Sequence, residues 1–76
     1  MSSTTRTYQV DGMTCGHCVS AVTGEITALP GVQSVDVDLV EGGESTVVVT
    51  SAAPLAEQQV RAAVDEAGYE LTGSQP

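Results

Sequence analysis

The sequence contains no lysine, no tryptophan and no phenylalanine, and its only positive charges are Arg6 and Arg61. Binding to nucleic acid relies on a basic patch that neutralises phosphates, so this function class is excluded. Attraction to an anionic membrane surface is disfavoured for the same reason. No apolar run approaches the ~20 residues of a membrane-spanning helix, so direct membrane insertion is not expected. Met1 to Thr7 is polar and lacks the apolar stretch of a signal peptide, which makes the cytoplasm the expected location. Cysteine is scarce as well, with only Cys15 and Cys18. In a reducing compartment these are thiols rather than a structural bridge. A bridge closing so short a loop would in any case add little stability. There is one histidine, so one molecule cannot offer four cysteines, or two cysteines and two histidines, to a structural zinc ion.

What is present is apolar and acidic. Of the 76 residues 41% are hydrophobic, mostly valine and alanine, which argues for a folded chain rather than a disordered tail. The length allows one small domain, residues 1–76 with a core over about 6–73, of a size that is only marginally stable. The net charge of −8 favours a cation or a basic protein surface as partner.

Hydrophobic periodicity gives six elements. Arg6 to Val10 alternates, with Tyr8 and Val10 on one side, and predicts a short strand ended by Asp11-Gly12. Met1 to Thr5 is expected to fray. Val19, Val22, Ile26 and Leu29 form one face of an amphipathic helix from about Gly16 to Leu29, closed by Pro30-Gly31. Val35, Val37 and Leu39 alternate with Ser34, Asp36 and Asp38 in a second strand. Glu41-Gly42-Gly43-Glu44 reads as a hairpin turn into a third strand over about Ser45 to Thr50. There Val47 and Val49 should face inward beside Val35 and Val37. Ser51 to Pro54 reads as a loop. Ala56, Val60, Ala63, Val64 and Ala67 mark a second helix capped by Gly68. Tyr69 and Leu71 open a last strand, and Thr72 to Pro76 is expected to be a loose end. The order strand, helix, strand, strand, helix, strand predicts an α+β, ferredoxin-like βαββαβ sandwich, a four-stranded antiparallel sheet with both helices on one face.

Cys15-Gly16-His17-Cys18 is the one dense cluster of reactive groups. Cys15 falls in the loop and Cys18 in the first helical turn. A helix N-terminus carries partial positive charge and unpaired N–H groups, and both favour thiolate over thiol. Gly12 and Gly16 let the loop bring both sulfurs to one exposed point. Two thiolates with no further ligand make a soft site of low coordination number, which suits Cu(I); Ag(I) or Hg(II) would satisfy the same geometry. The ten carboxylates have no EF-hand-like spacing and read as solvated surface.

The run Gly12-Met13-Thr14-Cys15-Gly16-His17-Cys18 resembles the G-M-T/x-C-x-x-C signature of heavy-metal-associated (HMA) domains, whose members include small bacterial copper chaperones and the N-terminal metal-binding domains of copper-transporting P-type ATPases. The resemblance spans about Thr7 to Gly73. It implies that Cys15 and Cys18 are the Cu(I) ligands and that Met13 anchors the loop in the core without binding metal. Thr14 stands where zinc-exporting relatives often carry an acidic residue, and its hydroxyl fits the copper branch. His17 is open to two readings: an exposed loop imidazole, or a group that tunes the thiolates and becomes a third ligand when two molecules share copper. Tyr69 resembles a family tyrosine that shields the metal; it reads equally as a strand-start aromatic packed on the core.

The expectation is therefore a non-enzymatic cytoplasmic Cu(I) chaperone. It would deliver copper by ligand exchange to a copper-transporting P-type ATPase or a copper-responsive repressor. It is expected to be a monomer when apo, with a copper-bridged dimer as the shared-metal form. Two alternatives remain. One is a metal-binding domain of a heavy-metal transporter. The other is a thiol-disulfide oxidoreductase using Cys-Gly-His-Cys, although thioredoxin-like domains are longer and place an aromatic before the first cysteine.

Overall fold

The computed structural model describes residues 3–14 and 16–75, with Gln75 described by its backbone. The elements are β1 (Thr4–Asp11), α1 (Gly16–Thr27), β2 (Val32–Asp38), β3 (Glu44–Ser51), α2 (Glu57–Glu66) and β4 (Glu70–Gln75). The strands form one antiparallel sheet in the order β2-β3-β1-β4. Each βαβ half is split by a strand of the other, since β3 lies between β1 and β2 and β1 lies between β3 and β4. This is the expected ferredoxin-like sandwich.

Alternation decides which face of the sheet the helices cover. Tyr8 and Val10 of β1 are buried, as are Val47 and Val49 of β3 and Leu71 of β4. Val35 pairs with Val49 and Val37 with Val47, as the pattern required. These side chains meet Val22 and Ile26 of α1 and Val60, Ala63 and Val64 of α2 in one core. Removing this apolar surface from water is the main force that holds so small a chain together. β2 is an edge strand and stays half-buried, with Asp36 and Asp38 exposed; charge on an edge discourages pairing with another chain.

Several boundaries differ from those read in the sequence. Thr4 and Thr5 belong to β1, opposite Ser51 and Thr50, and the Thr5 and Thr50 hydroxyls lie 3.3 Å apart. Residues Thr72 to Gln75 are part of β4 rather than a loose end. Gly73, Ser74 and Gln75 pair with Gln9, Tyr8 and Thr7. The polar side chains hid both extensions, because what extends a strand there is the backbone hydrogen bonding of its neighbour. Thr72 is the extra residue of a bulge, and its hydroxyl donates to the Gln9 carbonyl at 3.3 Å. α1 stops at Thr27, so Leu29 packs on the core from beyond the helix. Leu55, in the loop before α2, is buried as well. Ser45 is a buried polar residue: its Oγ accepts from the Val40 N–H at 2.9 Å, which ties the β2–β3 hairpin to the sheet.

Candidate metal site

The candidate site sits where β1 hands over to α1. Asp11 ends the strand, and Gly12 turns the chain with φ +94°, a region that disfavours any residue with a Cβ. Met13 follows, with no exposed surface, and plants the loop in the core. Thr14 is exposed above it. Cys15 lies outside the described residues. Gly16 opens α1, His17 is exposed, and Cys18 is the third helical residue.

Cys18 is not on an exposed point, as the motif alone suggested. It retains 5% of its accessible surface. Cys18, Val22 and Ile26 follow one another at intervals of four, so Cys18 belongs to the inward face of α1. Its sulfur is turned back over the start of the helix. The Thr14 N–H donates to Cys18 Sγ at 3.5 Å, and Thr14 Oγ1 lies 3.8 Å from the same sulfur. The arrangement is related to the reach-back half of a capping box, with a sulfur in place of the usual Glu or Gln oxygen. No acidic residue occupies the first turn of α1, so nothing there offsets the positive end of the helix dipole beside the sulfur.

The second element that shapes the site is the end of α2. Gly68 adopts φ +94°, its N–H donates to the Asp65 carbonyl at 2.9 Å, and the Tyr69 N–H donates to the Val64 carbonyl at 3.1 Å. This pair of bonds is a Schellman cap, the stop that Gly68 predicted. It delivers the half-buried Tyr69 to the base of the loop. There Cδ1 of the ring stands 3.6 Å from where a Gly12 Cβ would be. The structure therefore brings Met13, Thr14, Cys18 and Tyr69 to one end of the molecule and leaves His17 facing solvent.

The same end is acidic. Asp11 pairs directly with Glu44 of β3 on one side and Glu70 of β4 on the other, which sets three carboxylates in a row across three strands. Neither arginine is at this row: Arg6 lies over the Tyr8 ring at 5.9 Å, and Arg61 pairs with Glu57 at 3.7 Å.

The motif reading missed the link between Thr14 and Cys18. Its signal was present in the spacing, because a side chain at the third helical position reaches back to the residues just before the helix.

The model of the heavy-metal-associated domain matches residues 7–70. The chain belongs to this family. It is 39% identical over 62 residues to the copper chaperone CopZ of Staphylococcus aureus (strain JH9), covering 82% of this chain and 88% of that protein. It is 35% identical over 63 residues to the human copper-transporting ATPase 2; the match takes in 83% of this chain and only 4% of the length of the ATPase. A solved structure of the CopZ metallochaperone superposes with a TM-score of 0.78 at 34% identity, covering 91% of this chain and all of that one. Among the described residues no helix of this HMA domain is long and apolar enough to cross a membrane.

Proposed function

We propose that this HMA domain is a carrier of Cu(I) rather than a catalyst. Cys15 and Cys18 supply two thiolates that hold one Cu(I) ion, a soft cation suited to sulfur at low coordination number. The observation that carries the reading is the placement of Cys18. It stands in the first turn of α1, its sulfur turned onto a loop rooted by buried Met13, in a chain whose relatives include a protein named as a copper chaperone.

Delivery proceeds by ligand exchange. A thiolate of the partner attacks the bound ion, a three-coordinate bridge forms, and one of the original thiolates leaves and takes up a proton from water. The recipient is a copper-transporting P-type ATPase or a copper-responsive repressor, met in the cytoplasm through a basic surface that complements the net charge of −8. Met13 and Tyr69 support the loop. His17 lies in reach of solvent and of a second molecule, where its imidazole serves as a third ligand if two copies share copper. The apo chain is a monomer.

The test is anaerobic titration with Cu(I) against a competing chelator, for wild type, Cys15→Ser and Cys18→Ser. Both variants should lose affinity, and X-ray absorption of the loaded wild type should report sulfur neighbours. Wild-type affinity in either variant, or a shell of nitrogen and oxygen alone, ends the two-thiolate reading.

The match to a short stretch of an ATPase favours a second reading, a metal-binding domain of a heavy-metal transporter. An immunoblot of native extracts separates the two. A species of 7.7 kDa is expected of a carrier, and a much larger one of a transporter.

A further inference from the structure

We infer that Thr14 is a positioning residue for Cys18, its hydroxyl holding the second sulfur of the site in the orientation that receives copper. The inference rests on the two-thiolate reading above. Thr14 meets Cys18 Sγ twice, through its N–H at 3.5 Å and through Oγ1 at 3.8 Å, although the threonine is itself exposed and has no core to fill. An exposed residue that turns its one polar side-chain atom onto a buried sulfur is not explained by packing. The backbone contact fixes where the sulfur sits along the loop, and any residue at position 14 other than proline would supply it. The hydroxyl adds what only threonine or serine brings: a second donor, approaching from the side chain.

A metal-bound cysteine is a thiolate, and a thiolate accepts hydrogen bonds without needing to be the donor itself. With the N–H and the hydroxyl both in contact with one sulfur, the Cys18 side chain is oriented before metal arrives, and once the sulfur is a thiolate both groups donate to it. Partners that orient a ligand in this way contribute substantially to metal affinity. Because the N–H contact survives any substitution of the side chain, the hydroxyl accounts for part of that effect.

The experiment compares Cu(I) affinity by chelator competition for wild type, Thr14→Val, Thr14→Ser and Cys18→Ser, together with the thermal midpoint of each apo protein. Valine keeps the shape and removes the hydroxyl, so Thr14→Val should bind on the order of tenfold more weakly, with its midpoint unchanged. Thr14→Ser should return to wild-type affinity. The inference is overturned if Thr14→Val binds like wild type, or if Thr14→Ser is as weak as Thr14→Val, since shape rather than the hydroxyl would then matter. Wild-type affinity in Cys18→Ser overturns the two-thiolate reading and this inference with it, whereas the first two outcomes leave that reading standing.

Discussion

The Tyr69 ring faces Gly12 across the chain: its Cδ1 lies 3.6 Å from the position a Cβ on Gly12 would take. That distance is ordinary van der Waals contact, so an alanine at position 12 would fit the space. The obstacle is the backbone, since Gly12 has φ +94°. Gly12→Ala should therefore destabilise the apo protein by ~1–2 kcal/mol through strain alone, seen as a lower thermal midpoint in circular dichroism. A Gly12→Ala protein as stable as wild type would show that the loop can relax the turn.

Met13 is fully buried directly beside the exposed Thr14. Met13→Ala should cost ~2–5 kcal/mol, as emptied core positions do, which is a large part of the stability of so small a domain. Met13→Leu conserves volume and should cost less than ~1.5 kcal/mol. Chemical denaturation of the two variants measures both. If Met13 serves only as the anchor of the loop, Met13→Leu will also retain Cu(I) affinity; a large loss there would give the thioether a direct role.

Cys18 keeps 5% of its surface, and this has a kinetic consequence. In a Cys15→Ser protein the one remaining thiol should react with a bulky disulfide reagent far more slowly under native conditions than in urea. Equal rates in the two would mean that the loop opens faster than the reagent attacks.

The fold was legible from valine spacing. Val35, Val37, Val47 and Val49 alternate cleanly because β2 and β3 bury one face only, and Gly68 marked the end of α2 because a Schellman cap needs positive φ. What escaped lay where backbone, not side chain, decides. Thr4, Thr5 and residues 73–75 carry no apolar signal, yet they extend the pairing of β1 with β3 and of β4 with β1. At the site, the G-M-T-C-x-x-C run identified the loop and the burial of Met13. The burial of Cys18 escaped because reactive cysteine was read as exposed, although its spacing to Val22 and Ile26 already placed it on the inward face of α1.

Glu57 and Ser74 give a pH-dependent contact away from the metal loop. Ser74 donates to Glu57 Oε1 at 2.6 Å, and this bond, aided by the charges of Arg61 and Arg6, holds the Glu57 carboxyl below its ordinary value. A depressed carboxylate contributes its stability above its unfolded pKa and loses it as pH falls through the folded value. The link between β4 and α2 should therefore be intact at neutral pH and weaken in acid. Ser74→Ala removes the largest cause, so the Glu57 titration followed by carboxyl carbon NMR should move up. An unmoved titration would assign the shift to the arginines.

The row Glu44, Asp11, Glu70 faces like charge to like charge across neighbouring strands, an arrangement that works against the sheet. Asp11 is the middle member, so Asp11→Asn relieves both repulsions at once. The variant should be more stable than wild type by up to ~1 kcal/mol at low salt, and added salt should narrow the difference by screening the charges. If the same end of the molecule meets a basic recipient, Asp11→Asn should also slow copper transfer at low ionic strength while leaving Cu(I) affinity unchanged. The wild-type transfer rate should then fall as salt rises. A rate flat from low to high salt, equal in wild type and Asp11→Asn, would remove electrostatic steering and leave the carboxylate row as a cost with no return in docking.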